Sequence, residues 1–73
     1  MYNTMLMAVQ DGGGKLVMMD GTIWIIKPDD ISVTENWTPP SGMEIKESNA
    51  HKEFDYTITN QSDETTVNAS KRR

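Results

Sequence analysis

Asp20-Gly21 stands between two apolar runs, residues 16–19 and 23–26, and no other stretch limits the possible folds as tightly. Asp-Gly tolerates the positive φ that a two-residue type I′ turn requires, so the sequence predicts a β-hairpin here. In that register Val17 lies opposite Trp24 and Met18 opposite Ile23. Alternation then places Val17, Met19, Trp24 and Ile26 on one face, and Leu16, Met18, Ile23 and Ile25 on the other. Both faces are apolar, whereas a hairpin with one wet side carries polar residues on that side. Three arrangements would satisfy the second face: a barrel in which an end segment, residues 2–9, covers it; a dimer interface; or an apolar partner. The first is the preferred expectation, and Leu16, Met18, Ile23 and Ile25 are the candidate interaction face.

Short strand signals recur along the rest of the chain. Residues 4–10 read as a strand that ends at the flexible run Asp11-Gly-Gly-Gly14. That run is a hairpin loop, since no Lys-Ser/Thr pair follows it as in a phosphate-binding loop. Pro28 ends the arm at Lys27 because it cannot donate to a ladder. Residues 31–37 alternate, with Ile31, Val33 and Trp37 on one face and Glu35 as the exception, which predicts a half-buried strand. Thr38-Pro-Pro-Ser-Gly42 stops it. Met43 and Ile45 point inward from the next strand. After a polar loop at 48–53, Phe54, Tyr56 and Ile58 share a face of another strand, and Thr65, Val67 and Ala69 of the last. Six or seven short strands without a convincing helix indicate an all-β fold. The expected form is a small SH3-like barrel, alternatively OB-like, of five to seven short antiparallel strands. Its expected core holds Val17, Trp24, Ile26, Ile31, Val33, Trp37, Ile45, Tyr56, Ile58 and Val67.

Seventy-three residues make one domain, assigned to residues 1–70 with a disordered basic tail at 71–73. So short a chain buries a small share of its surface, and without cysteine it has no disulfide to compensate. Good packing or self-association must do so. The net charge is −4, and setting the tail aside leaves four lysines against eleven acids. Such a body repels phosphate backbones, which disfavours nucleic-acid or polyanion binding. No apolar run reaches the roughly 20 residues of a membrane span. The run at Met5–Val9 is too short for a signal-peptide core. The expected location is cytoplasmic if Met1 is the natural start and periplasmic if a signal peptide was removed.

No constellation for chemistry emerges. Asp29, Asp30 and Glu35 cluster in sequence, but neighbouring carboxylates point apart in an extended chain and match no calcium loop. They read as a solvated edge, with Asp30 placed to cap a turn. His51, the one histidine, lies in a polar loop with no second histidine or cysteine for zinc and no Gly-x-Ser-x-Gly nucleophile motif to serve. Trp24 and Trp37 could form an aromatic platform for a proline-rich peptide, but core is the preferred reading. Asn36, Asn60 and Asn68 match the glycosylation acceptor pattern, which arises easily in a chain rich in Asn, Ser and Thr.

Residues 16–70 resemble a group of small uncharacterised bacterial proteins. Their pattern runs apolar-Leu-x-Asp-Gly-Ser-x-Trp-x-Val-x-Pro-x-Asp, then Trp-x-Pro and Gly-Asp-x-Ile. Met18, Asp20, Gly21, Thr22, Trp24, Ile26, Pro28, Asp30, Trp37, Pro39 and Ile45 match in order, followed by Tyr56, Ile58, Asn60, Val67 and Ala69. Thr22 replaces the serine, Pro40-Ser-Gly-Met43 replaces the surroundings of Gly-Asp, and Ile25 replaces a polar residue. The resemblance implies a small β-barrel, often in exported proteins, and brings no reaction, cofactor or catalytic residue. The expected function is therefore a non-enzymatic protein-interaction or assembly module, with a protein partner or a second copy on its apolar face. The alternative is a small-barrel polyanion binder.

Overall fold

The computed structural model describes residues 2–48 and 52–72. Six strands form a closed antiparallel barrel: β1 (Tyr2–Gln10), β2 (Lys15–Met18), β3 (Ile23–Ile26), β4 (Ser41–Glu47), β5 (Tyr56–Asn60) and β6 (Thr65–Lys71). Their order around the wall is β1-β2-β3-β6-β5-β4, and β4 returns to β1. Two three-stranded meanders thus meet along the β3–β6 and β1–β4 seams, and closure leaves no free sheet edge. Inside lie Leu6, Leu16, Met18, Trp24, Ile26, Trp37, Met43, Ile45, Ile58, Val67 and Ala69. Val9, Ile31, Val33 and Tyr56 pack against them from the ends.

The hairpin forms, but one residue out of the expected register. Leu16 pairs with Trp24 and Val17 with Ile23. The turn is a three-residue loop, Met19-Asp20-Gly21. It is closed by hydrogen bonds from Met18 N–H to Thr22 C=O (2.9 Å) and from Gly21 N–H to Met18 C=O (3.0 Å). Positive φ falls on Gly21 (+90°) and not on Asp20, as in the turn that follows αR residues with one left-handed glycine. A side-chain period of two converts that slip into a change of face for one arm. Leu16 and Met18, expected on the interaction face, are fully buried. Val17, expected in the core, is half-buried on the outer surface, and Met19 is exposed.

The segment 31–37, expected as a half-buried strand, begins as a helix and contains no strand. Pro28–Asp30 forms a 3-10 turn that runs into the single-turn helix α1 (Ile31–Thr34). Proline presets φ at the first helical position, and Asp29 and Asp30 suit a helix start electrostatically. Ile31 and Val33 still reach the core, but from a helix lying over one end of the barrel. Asp30 provides no side-chain cap. Its Oδ2 instead accepts from Asn68 N–H (2.8 Å) and Asn68 Nδ2 (3.0 Å), tying the start of α1 to β6. Fully buried Thr34 donates its hydroxyl to Gly13 C=O in the β1–β2 connection. Gly13 adopts φ +106°, and a Cβ there would stand 2.7 Å from Glu35 N, so glycine is required for this close approach.

Residues 2–9 do not lie over the hairpin. They pair edgewise with β2 and β4 as part of the wall, with a bulge between Leu6 and Ala8. The tail read as disordered is partly strand: Lys71 pairs with Trp24, and Arg72 N–H donates to Ile23 C=O. His51 and Arg73 lie outside the described residues.

Two stability measurements check this arrangement. Leu16→Ala should cost about 2–5 kcal/mol in urea unfolding, as cavity formation does in a core, while Val17→Ala should cost about 1 kcal/mol or less. The expected hairpin register would reverse that ranking. Asp30→Ala should cost about 1–3 kcal/mol by stranding the Asn68 donors, with Asp30→Asn closer to the parent because one acceptor oxygen remains.

Candidate functional site

Outward positions around the barrel divide into two unlike halves. On β4, β5 and β6 they are Glu44, Lys46, Thr57, Thr59, Thr66 and Asn68. Thr59 and Thr66 share a hydroxyl hydrogen bond of 2.9 Å there. On β1, β2 and β3 the corresponding positions are Met5, Ala8, Val17, Ile23 and Ile25, with Lys15 and Gln10 at one end and Asn3 at the other. The bulge in β1 adds Met7 to this surface. Met19 joins it from the turn, because its N–H donates to Met5 C=O (2.8 Å) and continues the ladder one pair beyond Leu6 and Met18. Met5, Met7 and Met19 are 37%, 58% and 62% exposed. Val17, Ile23 and Ile25 are half-buried beside them on the same face.

The structure thus keeps Ile23 and Ile25 of the expected face, removes Leu16 and Met18 to the interior, and brings in Met5, Met7, Ala8, Val17 and Met19. The spacing Met5-Leu-Met7 around buried Leu6 was a usable signal for this surface. What hid it was the hairpin register, because β1 could be aligned only once β2 had been.

The turn at one end of this face is held by its own side chains. Asp20 Oδ1 accepts from Thr22 N–H (3.0 Å) and from the Thr22 hydroxyl (2.6 Å), and Trp24 Nε1–H donates to that hydroxyl oxygen (2.9 Å). Partial burial works against the Asp20 carboxylate, but the Thr22 bonds and the Lys71 charge outweigh it and hold the carboxyl below its ordinary value. The Tyr2 phenol at the same end is raised, first by burial, then by Asp20 and Tyr56, against an opposing bond from Thr22.

Other candidates fall away. Trp24 is buried and meets Tyr56 edge-on at 5.0 Å, and Trp37 is buried with its Nε1–H on the Thr65 hydroxyl (2.8 Å). Neither indole offers a platform. Asp30 binds Asn68, Asp29 accepts from Lys27, and Glu35 points to solvent. Among the described residues no three acidic or imidazole groups gather as a metal site, and no helix is long and apolar enough to cross a membrane. An open depression of about 340 Å³ is lined, among the described residues, by Lys27, Lys52, Glu53 and Phe54. Of the glycosylation-pattern asparagines, Asn60 is buried, with its Oδ1 accepting from Ser62 N–H (2.8 Å).

No family model, curated protein or solved structure matches the chain.

The Asp20 shift has a definite sign. A carboxyl lowered by folding stabilises the fold above its unfolded value, and that contribution disappears as pH falls through the folded value. Asp20→Asn should therefore be less stable than the parent at pH 7. The gap in urea midpoints should close as pH drops below the ordinary 3.8 of the carboxyl. A gap independent of pH would assign the effect to shape and not to charge.

Proposed function

We propose that the chain is a non-enzymatic assembly module that covers the outer face of β1, β2 and β3 with a second copy of itself. The carrying observation is the division of the barrel wall: one half presents threonines and charges, the other presents Met5, Met7, Ala8, Val17, Met19, Ile23 and Ile25. Contiguous apolar surface rimmed by polar residues marks an interaction site. A second copy is favoured because the chain is short and has no cysteine, and small domains lacking such staples gain stability by association. A two-fold contact needs one self-complementary patch, and a methionine-rich sheet face adapts to its own image. A stable interface of about 800 Å² per partner would take roughly a fifth of the 4443 Å² surface.

The kinship with the small bacterial barrels, and with SH3-like barrels, is part of the same proposal. Its support is that the matched residues have scaffold tasks. Asp20, Thr22 and Trp24 tie the turn, Asp30 ties α1 to β6, and Trp37 seals against Thr65. A pattern of that kind records a fold and not a reaction.

Light scattering after size exclusion tests the interface. The parent should run as a dimer, and Ile23→Lys and Ile25→Lys should run as folded monomers. A lysine stranded in the interface costs about 3 kcal/mol or more, over a hundredfold in Kd. A parent that stays monomeric at high concentration, or lysine variants that dimerise like the parent, would overturn the proposal.

A further inference from the structure

Among the described residues the methionines fall into two sets. Met18 and Met43 are 0% exposed inside the barrel, whereas Met5, Met7 and Met19 lie open on its apolar half. The outer three are also close together. Met19 continues the ladder beside Met5, and cross-strand neighbours of this kind have Cβ atoms about 4.5–5.5 Å apart. Met7 is two residues along the same strand, turned outward by the bulge. The other apolar side chains of this face, Ala8, Val17, Ile23 and Ile25, offer no oxidisable group.

Oxidation of a thioether follows its access to solvent. The sulfur lone pair attacks one oxygen of a peroxide, an S–O bond forms and the O–O bond breaks. Sulfur loses two electrons, and the second oxygen leaves as water or an alcohol after proton transfer. Two thiols reverse the step, giving thioether, disulfide and water. The product sulfoxide is a strong hydrogen-bond acceptor, and burying it without a donor is unfavourable. Between Lys15 and Gln10 at one end and Asn3 at the other, the outward residues of β1, β2 and β3 carry no side-chain donor to meet it.

We infer that Met5, Met7 and Met19 form a reversible peroxide-oxidation site whose modification turns the apolar half of the barrel polar and releases the partner copy. This rests on the self-association proposed above. The fold itself is spared, because the two interior thioethers are sealed from the oxidant. The dissociated chain is the species oxidised, so modification traps it in that state.

The experiment treats the whole chain with hydrogen peroxide and reads three quantities: peptide masses, thermal midpoint and oligomeric state. Met5, Met7 and Met19 should be oxidised roughly tenfold or more faster than Met18 and Met43. The thermal midpoint of the monomer should hold while self-association weakens about tenfold or more, and a thiol-dependent sulfoxide reductase should restore it. The triple variant Met5→Leu, Met7→Leu, Met19→Leu conserves volume and keeps the remaining methionines, so it should associate and ignore peroxide. Equal oxidation of Met18 and Met43 in the folded chain would overturn the inference, as would release of the triple variant by peroxide. Association of the parent that survives full oxidation of the three would overturn the inference alone. A parent that is monomeric before any peroxide would overturn it together with the proposed function.

Discussion

The three-centre link from Asp20 through Thr22 to Trp24 sets the geometry on which the rest of the barrel depends. The carboxylate takes both the N–H and the hydroxyl of Thr22, and the hydroxyl oxygen takes the indole N–H. Each bond is modest alone. Together they hold a three-residue turn in which glycine carries the left-handed conformation, and the turn decides which arm residues oppose each other. Leu16, Met18, Trp24 and Ile26 then face inward as one set. The same bond satisfies the only polar atom of the Trp24 side chain, so its ring is buried without leaving a donor unmet.

The opposite end is sealed by a different kind of device. Strand ends at Gln10, Ile26 and Asn60 open toward one mouth, and α1 with Trp37 lies across it. Three contacts distant in sequence hold this cover. Asp30 reaches β6, Thr34 reaches the β1–β2 connection at Gly13, and Trp37 reaches Thr65. Each uses a polar group to fix position while apolar surface supplies the driving force. Trp37 joins the buried core from outside the sheet.

Closure has a consequence for the outer surface. A closed wall needs apolar residues on one side only, yet the middle of β1, β2 and β3 is apolar on both. Isoleucine at 23 and 25, valine at 17 and methionine at 5, 7 and 19 contribute little to the core. Their placement in one continuous half, opposite a half of threonines and charges, is the feature on which the proposed self-association rests. Methionine chemistry then falls on the surface side of the same division, since the interior thioethers are shielded by the packing that makes the core.

Local chemistry sufficed for the class of fold. Strand alternation in residues 43–47, 56–60 and 65–69, the glycine and proline stops between them, and the apolar arms around Asp20-Gly21 all act within a few residues, so an antiparallel all-β barrel was legible, as were Ile45, Ile58 and Val67 as core. Residues 31–37 misled because Ile31, Val33 and Trp37 are apolar at a spacing that suits a strand. The helix there depends on Asn68 and Gly13, partners far away in the chain. The face of Val17 against Leu16 was likewise beyond local reading. Asp-Gly permits both a two-residue and a three-residue turn, and only the buried indole of Trp24, bonded back to Thr22, selects one of them. Composition and periodicity settled the six wall strands in outline, though not the helix at 31–34, and that both sides of the hairpin would be apolar. Which side met the interior was decided by tertiary packing, because a shift of one residue costs little in the turn itself but exchanges every side chain between core and water.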